Sequence, residues 1–392
     1  MTELSVVLIT KNQAWNISRL IESVLRGTLC VPSVEIVLVD SASTDETVEL
    51  AKRYPVRVFR LKFGQRLSPA IGRYVGYRQT QGEFVLFLDG DMELLQGWLE
   101  PALNFMRTTP RVGLVMSTSV INLPRTAAQQ SAASLEDMSF TPPRESSRVP
   151  FAAGGAALYR HSVLEQVGPF NPYLYSEEEP ELCLRIRDAG YSVLLFDQPI
   201  VRHYDDATVA LSSVLSRRKR NFHLGIGQAA RCHLGSKLFW RWIKERWWGP
   251  AAGLLMAVGL GSAFLSLLMH DSIWFGLWTL ALCLLIVCLA FRKRSLRAAF
   301  IAAFHWLVMA EGFLRGILIR PLPPRNFQAI VEVTKALRNQ DGDTAPLVSQ
   351  TPEAKLQYSL DWKNHAAPEI LGTTGSLVPT VHGLVDGRRK CS

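Results

Sequence analysis

The chain has 392 residues, 48% of them hydrophobic and 20% charged, which is enough apolar material for a sizeable core and excludes wholesale disorder. Its net charge of +9 suggests nucleic acid, yet residues 1–216 carry 20 basic against 24 acidic groups, residues 217–246 nine against one, and residues 247–392 14 against nine. The excess lies beside apolar spans, where anionic headgroups attract cations, and this excludes a broad nucleic-acid surface.

Met1 runs into Leu4–Thr10 with no basic n-region and no small-residue cleavage site, so no secretory signal is expected and the N-terminal part is expected in the cytoplasm. Short β-rich runs follow at Ser5 to Thr10, Glu35 to Asp40, Val56 to Phe59 and Glu83 to Asp89. Between them, Trp15 to Leu25, Thr44 to Arg53 and Pro69 to Thr80 have helical spacing; Ser43, Thr44 or Asp45 can cap the second and Ser68 the third. Strands alternating with helices predict an α/β fold with a mostly parallel sheet, in which ligands sit beyond the carboxyl ends of the strands. Thr10, Asp40 and Asp89 fall at those ends. Residues 124–150 read as a long surface loop.

From Arg202 the pattern reads as helical and basic. Residues 217–248 alternate cations with Phe222, Trp240, Trp242, Trp247 and Trp248, as expected of a helix lying among headgroups. Gly249 to His270 and Ser272 to Phe291 are 22 and 20 residues without a charge, each long enough to cross ~30 Å of hydrocarbon. Only Asp271 is charged between them, whereas Arg292-Lys293-Arg294 follows the second; the positive-inside rule makes them a hairpin with both ends cytoplasmic. A third segment, 298–319, contains Glu311 and Arg315, an i,i+4 pair, and spanning, re-entrant and flat placements all remain open for it. Beyond Pro321-Leu322-Pro323-Pro324, an amphipathic stretch (Phe327 to Leu337) precedes a polar tail expected to be disordered. The expected division is therefore a catalytic domain at 1–216, a basic interfacial segment at 217–248, membrane helices within 249–320 and a cytoplasmic tail at 321–392. The six cysteines have no metal-like spacing and read as reduced thiols.

Three acidic clusters can carry chemistry. Asp89-Gly90-Asp91 ends the strongest strand, and two carboxylates across a glycine can share a hard divalent cation while the missing side chain admits a phosphate. Asp40-Ser41-Ala42-Ser43-Thr44-Asp45 serves as a helix start, as a nucleotide contact through Asp40, or as both. Glu177-Glu178-Glu179-Pro180-Glu181 crowds four carboxylates, which raises at least one pKa and supplies a candidate general base; a solvated helix start is the alternative.

These elements in this order, over residues 3–205, resemble the family 2 glycosyltransferases of the GT-A fold. The matching segments are Ser5 to Asn12, Val39 to Asp45, Asp89-Gly90-Asp91, Gly154 to Arg160 and Glu178 to Arg185. The resemblance implies inverting transfer from a nucleotide-diphosphate sugar, with Asp40 near the base, Asp89 near the ribose, and Asp91 on a Mn²⁺ or Mg²⁺ that bridges the diphosphate. It further implies donor-binding roles around Thr10, Asn12, Asp45, Arg73, Gly154 and Gly155, and a place for His203 near the metal. Glu179 stands where the family usually has Asp, so Glu179 is the expected base, with Glu178 and Glu181 as alternatives. Tyr74 replaces a usual Asn. Gln228-Ala229-Ala230-Arg231-Cys232 has the spacing of a processive motif but lacks its tryptophan, which argues against processive synthesis.

The expected activity is extension of a lipid-linked or cell-surface glycan at the cytoplasmic face of the cell (inner) membrane by a multi-pass protein. Polyprenyl phosphate as the direct acceptor, or an inactive scaffold with a nucleotide-binding fold, are the alternatives. A transporter is disfavoured because two or three spans with few polar groups cannot enclose a path. The sequence is silent on donor sugar, linkage and oligomeric state. One expectation underlies all of this: Asp40, Asp89 and Asp91 converge on one pocket.

Overall fold

The computed structural model describes residues 2–117, 121–125, 155–204 and 211–335. The loop expected at 124–150 falls almost wholly outside them, as do Gly154 and the polar tail beyond residue 335.

The first half alternates as expected: β1 (Leu4–Thr10), α1 (Ile17–Gly27), β2 (Val34–Asp40), α2 (Thr47–Ala51), β3 (Arg57–Leu61), α3 (Pro69–Tyr77) and β4 (Phe84–Asp89). Then come β5 (Met92–Leu94), α4 (Leu99–Thr108), β6 (Val112–Ser117), β7 (Ile121–Leu123), β8 (Ala157–Arg160), α5 (His161–Val167), α6 (Glu178–Asp188), β9 (Ser192–Phe196) and β10 (Val201–Tyr204). The main sheet has the order β3-β2-β1-β4-β8-β6-β9; β1 is parallel to β2 and β4, whereas β8 is antiparallel to both β4 and β6. β1 is buried along its whole length because helices cover both faces, which is why its sequence is a continuous apolar run rather than an alternation. One face packs Leu4, Val6 and Leu8 against α1 and α4; the other packs Val7, Val37 and Phe87 against α3 and α6.

Two details position the site. Ser68 Oγ accepts the Ile71 N–H at 3.3 Å with Pro69 opening α3, the start expected from the sequence. Gly72 and Gly76, one turn apart, let α3 lie close on β1: a Cβ at Gly76 would sit 2.3 Å from Val7 Cγ1. The residue between them, Arg73, is thereby lowered to the sheet.

The helical reading from Arg202 is corrected. Val201–Tyr204 is strand β10, at the centre of a second, three-stranded sheet with β5 and β7, where β10 runs antiparallel to β5 with His203 opposite Met92. Helical structure resumes with α7 (Leu211–Lys219), α8 (Gly225–Cys232) and α9 (Lys237–Glu245). The start of α2 is also later than expected: Asp45, not Ser43 or Thr44, receives the Thr47 N–H, at 3.1 Å.

Among the described residues, three helices are long and apolar enough to cross a membrane: α10 (Trp248–Leu268), α11 (Ile273–Lys293) and α12 (Leu296–Leu318). They are unequally placed. α11 has no buried residue, whereas the second half of α12 packs on α8, so closely that Cβ atoms at Gly227 and Gly316 would meet the Phe313 and Leu224 carbonyl oxygens at 2.1 and 2.2 Å. Glu311 and Arg315 pair at 2.9 Å as expected, and Glu311 also receives Arg218 of α7 at 2.8 Å. The amphipathic stretch after the proline run returns to the main sheet: β11 (Val331–Lys335) pairs antiparallel with β3 at its edge, and Phe327 packs edge-on against Tyr74 and Tyr173.

Candidate active site

Asp40 and Asp89 do not share a pocket, which corrects the expected convergence. Thr10 lies opposite Asp40, while Ile9 lies opposite Asp89, so the two acids have opposite parity and leave the sheet on opposite faces. Asp40 is fully buried; Thr10 Oγ1 donates to it at 3.4 Å, the Ser43 N–H at 2.9 Å, and Ser43 Oγ as well, with Arg60 at 3.6 Å. It holds the β2–α2 turn and presents no oxygen to a base. Asn12 and Asp45 are likewise spent on joining loops: the Asn12 N–H donates to Ser43 Oγ at 2.8 Å, Asn12 Oδ1 accepts the Thr44 N–H at 2.8 Å, and Asp45 accepts the Ala14 N–H at 3.0 Å.

The acids that do meet are on the α3/α6 face. Buried Arg73 donates to Asp89 Oδ1 at 2.8 Å and to Glu178 Oε1 at 2.5 Å, with Glu179 Oε1 at 3.6 Å. One guanidinium thus faces three carboxylates brought from β4 and from the first turn of α6. Burial pushes the Asp89 carboxyl up to about 6, and Glu179 adds to the effect although Arg73 opposes it. Burial likewise raises Glu178 to about 7 against the pull of Arg73. The backbone shapes the same space. Gly155 has φ +78°, its N–H donates to Glu179 Oε1 at 3.2 Å, and a Cβ there would lie 2.1 Å from Asp89 Oδ2. Only glycine fits.

Glu181 stands apart. Burial alone would raise its pKa, but Arg185, paired through both carboxylate oxygens at 2.9 Å, and His233 at 3.0 Å hold it down to about 2. Its Oε1, shared between Arg185 and His233, ties α6 to the end of α8. Gln228 is also structural: its side chain accepts the Tyr175 N–H at 3.0 Å and donates to the Tyr173 carbonyl at 3.1 Å.

Beyond Gly90, the second sheet brings His203 to Asp91, with Nε2 3.4 Å from Oδ2. The other oxygen, Asp91 Oδ1, is buried and has no hydrogen-bond donor. His203 Nδ1 lies 3.2 Å from the Asn122 side-chain oxygen, so the ring is held between Asn122 and Asp91. A buried carboxylate oxygen that accepts no hydrogen bond, with an imidazole nitrogen beside the other oxygen, is a setting that a divalent cation stabilises. Among the described residues no three His, Cys, Asp or Glu side chains already close on one point, and Asp89 is drawn to Arg73 instead. Two protein ligands leave room for phosphate oxygens and water, the usual arrangement for Mg²⁺ with a nucleotide. Asp91 and His203 therefore fit such an ion. The sequence reading missed β10, the element that carries His203, because Val201–Tyr204 is only four residues long.

Residues 5–168 match the Glycosyl transferase family 2 profile. The glycosyltransferase AglE of Haloferax volcanii is 30% identical over 195 residues, 48% of this chain and 62% of that protein. Polypeptide N-acetylgalactosaminyltransferase 6 of Bos taurus is 28% identical over 232 residues, 51% of this chain and 37% of the relative. The poly(ribitol-phosphate) β-N-acetylglucosaminyltransferase TarS of Staphylococcus aureus is 25% identical over 189 residues, 46% and 32%. This chain spans less than two thirds of the length of each. Among solved structures, a mannosyltransferase from Pyrobaculum calidifontis in complex with GDP-Man and Mn²⁺ aligns with a TM-score of 0.47 at 17% identity, covering 80% of this chain and 85% of that one.

Proposed function

Because this chain carries a glycosyl transferase family 2 domain over residues 5–168, we propose that it transfers a sugar, with inversion, from a nucleotide-diphosphate donor to a lipid-linked acceptor at a membrane surface. The observation that carries the reading is the buried, undonated Oδ1 of Asp91 with the His203 ring beside its other oxygen, a setting that suits a divalent cation. Mn²⁺ or Mg²⁺ held by Asp91 and His203 would neutralise the charge that develops on the leaving diphosphate. Asp89, anchored by Arg73 and crowded by Gly155, offers a fixed oxygen to the donor's sugar or ribose. Glu179 takes the acceptor proton. It is oriented by the Gly155 N–H, so base and donor acid are positioned by one glycine. Glu178 positions Arg73 from the other side. A second assignment, Glu178 as base, is favoured by its pKa of about 7, close to the optimum for proton transfer at neutral pH. Glu179→Gln and Glu178→Gln decide between them: the base variant loses transfer at every pH, the positioning variant retains a displaced pH profile.

A membrane placement fits the same picture. Full crossings by all three helices would leave α12 ending on the side opposite the start of α10. The second half of α12 instead packs on α8, and β11 pairs with β3. An even number of crossings, α10 and α11, with α12 along the inner surface, satisfies both contacts and the positive cluster at 292–294. The basic residues preceding α10 and exposed Trp240 and Trp247 then lie at the headgroups, with the catalytic domain cytoplasmic. Purified protein screened against UDP-, GDP- and dTDP-sugars for Mn²⁺-dependent nucleotide release tests the activity; release that is absent with every donor, or indifferent to Asp91→Asn, overturns it.

A further inference from the structure

Between the end of α11 and the first half of α12 lies a cavity of about 590 Å³, open along one side. Its apolar walls are Leu289, Ala302 and Trp306; its polar side is Arg292, Lys293 and His305. No carboxylate lines it. Arg292 and Lys293 have no ion-pair partner among the described residues, while the acid on α12, Glu311, is spent on Arg218 and Arg315. Two unbalanced cations against an apolar wall, at the end of a helix exposed along its whole length, match a phosphate whose chain lies in lipid.

A chain of contacts links the cavity to the segment that precedes α6. The His305 ring meets the His223 ring at 5.3 Å; the neighbouring Phe222 carbonyl accepts from Ser176 Oγ at 2.5 Å; and Ser176 precedes the Glu177–Glu179 run directly.

We propose that this cavity binds the phosphate of the acceptor lipid, with Arg292 and Lys293 as its charge partners and Leu289, Ala302 and Trp306 against the first carbons of the chain. The assignment rests on the glycosyl-transfer reading above for the word acceptor, but its test does not depend on turnover. Immobilised full-length protein in neutral detergent is titrated with radiolabelled long-chain polyprenyl phosphate, with uncharged polyprenol and phosphatidylglycerol as competitors. Arg292→Ala/Lys293→Ala is expected to raise the Kd by about tenfold or more. Ala302→Trp, which fills the cavity and leaves the charges intact, is expected to do the same, with melting curves reporting that both variants fold. Polyprenol and phosphatidylglycerol should each compete about tenfold worse than polyprenyl phosphate. Wild-type binding in either folded variant overturns the site. Phosphatidylglycerol competing on equal terms reassigns it to bulk anionic lipid and overturns the acceptor role. Binding that follows the proposal in a protein that releases no nucleotide from any donor refutes the transfer reading instead.

Discussion

Gly155→Ala tests the geometry of the site more sharply than removal of any acid. The added Cβ would lie 2.1 Å from Asp89 Oδ2 and 2.4 Å from its carboxyl carbon, where ordinary contact needs roughly 3.5 Å, so the carboxylate must retreat by about 1 Å. It cannot retreat freely, since Arg73 holds its other oxygen at 2.8 Å and is itself fixed by Glu178. Alanine at φ +78° costs about 1–2 kcal/mol and the overpacking about 1–3 more. For a domain of this size that is a fall in Tm of roughly 5–15 °C. A displacement of about 1 Å in a group that touches the donor costs about 100-fold in rate. Gly64→Ala is the control: its φ is +88° but no atom lies within 4 Å of the new Cβ, so it carries the backbone strain without the clash. Mn²⁺-dependent nucleotide release at saturating donor, measured beside melting curves, should show Gly155→Ala slowed about 100-fold and Gly64→Ala unaffected. Equal rates in the two variants would refute the claim that Gly155 fixes Asp89.

Asp91→Asn should lower Mn²⁺-dependent release by about 100-fold or more and weaken Mn²⁺ binding measured by electron paramagnetic resonance. Its melting temperature should hold, because the lost oxygen has no partner in the fold. Glu181→Gln should destabilise the domain by on the order of 3 kcal/mol, the value of lowering a carboxyl from its ordinary 4.5 to about 2. Since its folded pKa is depressed, that stabilisation is complete above about pH 4.5 and disappears as pH falls towards 2, so wild type and variant melting temperatures should converge in acid. Phe327→Ala should cost about 1–3 kcal/mol by removing edge-on contacts to Tyr74 and Tyr173, a loss seen in urea unfolding, although residue 327 lies more than 120 residues after β10.

The strands and helices of the first ninety residues were legible because buried parallel strands are written as continuous β-branched runs and their helices as period-3.6 patterns. The acids were legible as residues but not as a constellation. Asp40 and Asp89 end the two strands that flank β1 in the same way, and only the register, Thr10 to Asp40 and Ile9 to Asp89, decides that they leave opposite faces. β10 was hidden because four residues carry too little periodicity, and with it went the reason His203 meets Asp91. Among four adjacent glutamates the roles could not be told apart, because they follow from partners distant in sequence: Arg246 for Glu177, Arg73 for Glu178, Gly155 for Glu179, and His233, with Arg185 beside it, for Glu181.

The same long-range pairings decide how the catalytic domain meets the membrane helices. Gly225, Gly227, Gly312 and Gly316 bring α8 and the preceding turn into backbone contact with Ser176 on one side and α12 on the other; a Cβ at Gly225 would be 2.2 Å from Ser176 Oγ. Side chains at those positions would interpose a layer that could slide, whereas backbone against backbone has few alternative arrangements. The run that bears Glu178 and Glu179 is therefore braced, through Ser176, on the helix that lines the phosphate cavity. A domain joined by a flexible linker would sample many heights above the bilayer. Under the placement proposed above, this one would be set at a fixed height, so an acceptor held by its phosphate would reach the base only if the span from phosphate to nucleophile matched that distance, and reach would become a determinant of acceptor choice alongside contacts to the sugar.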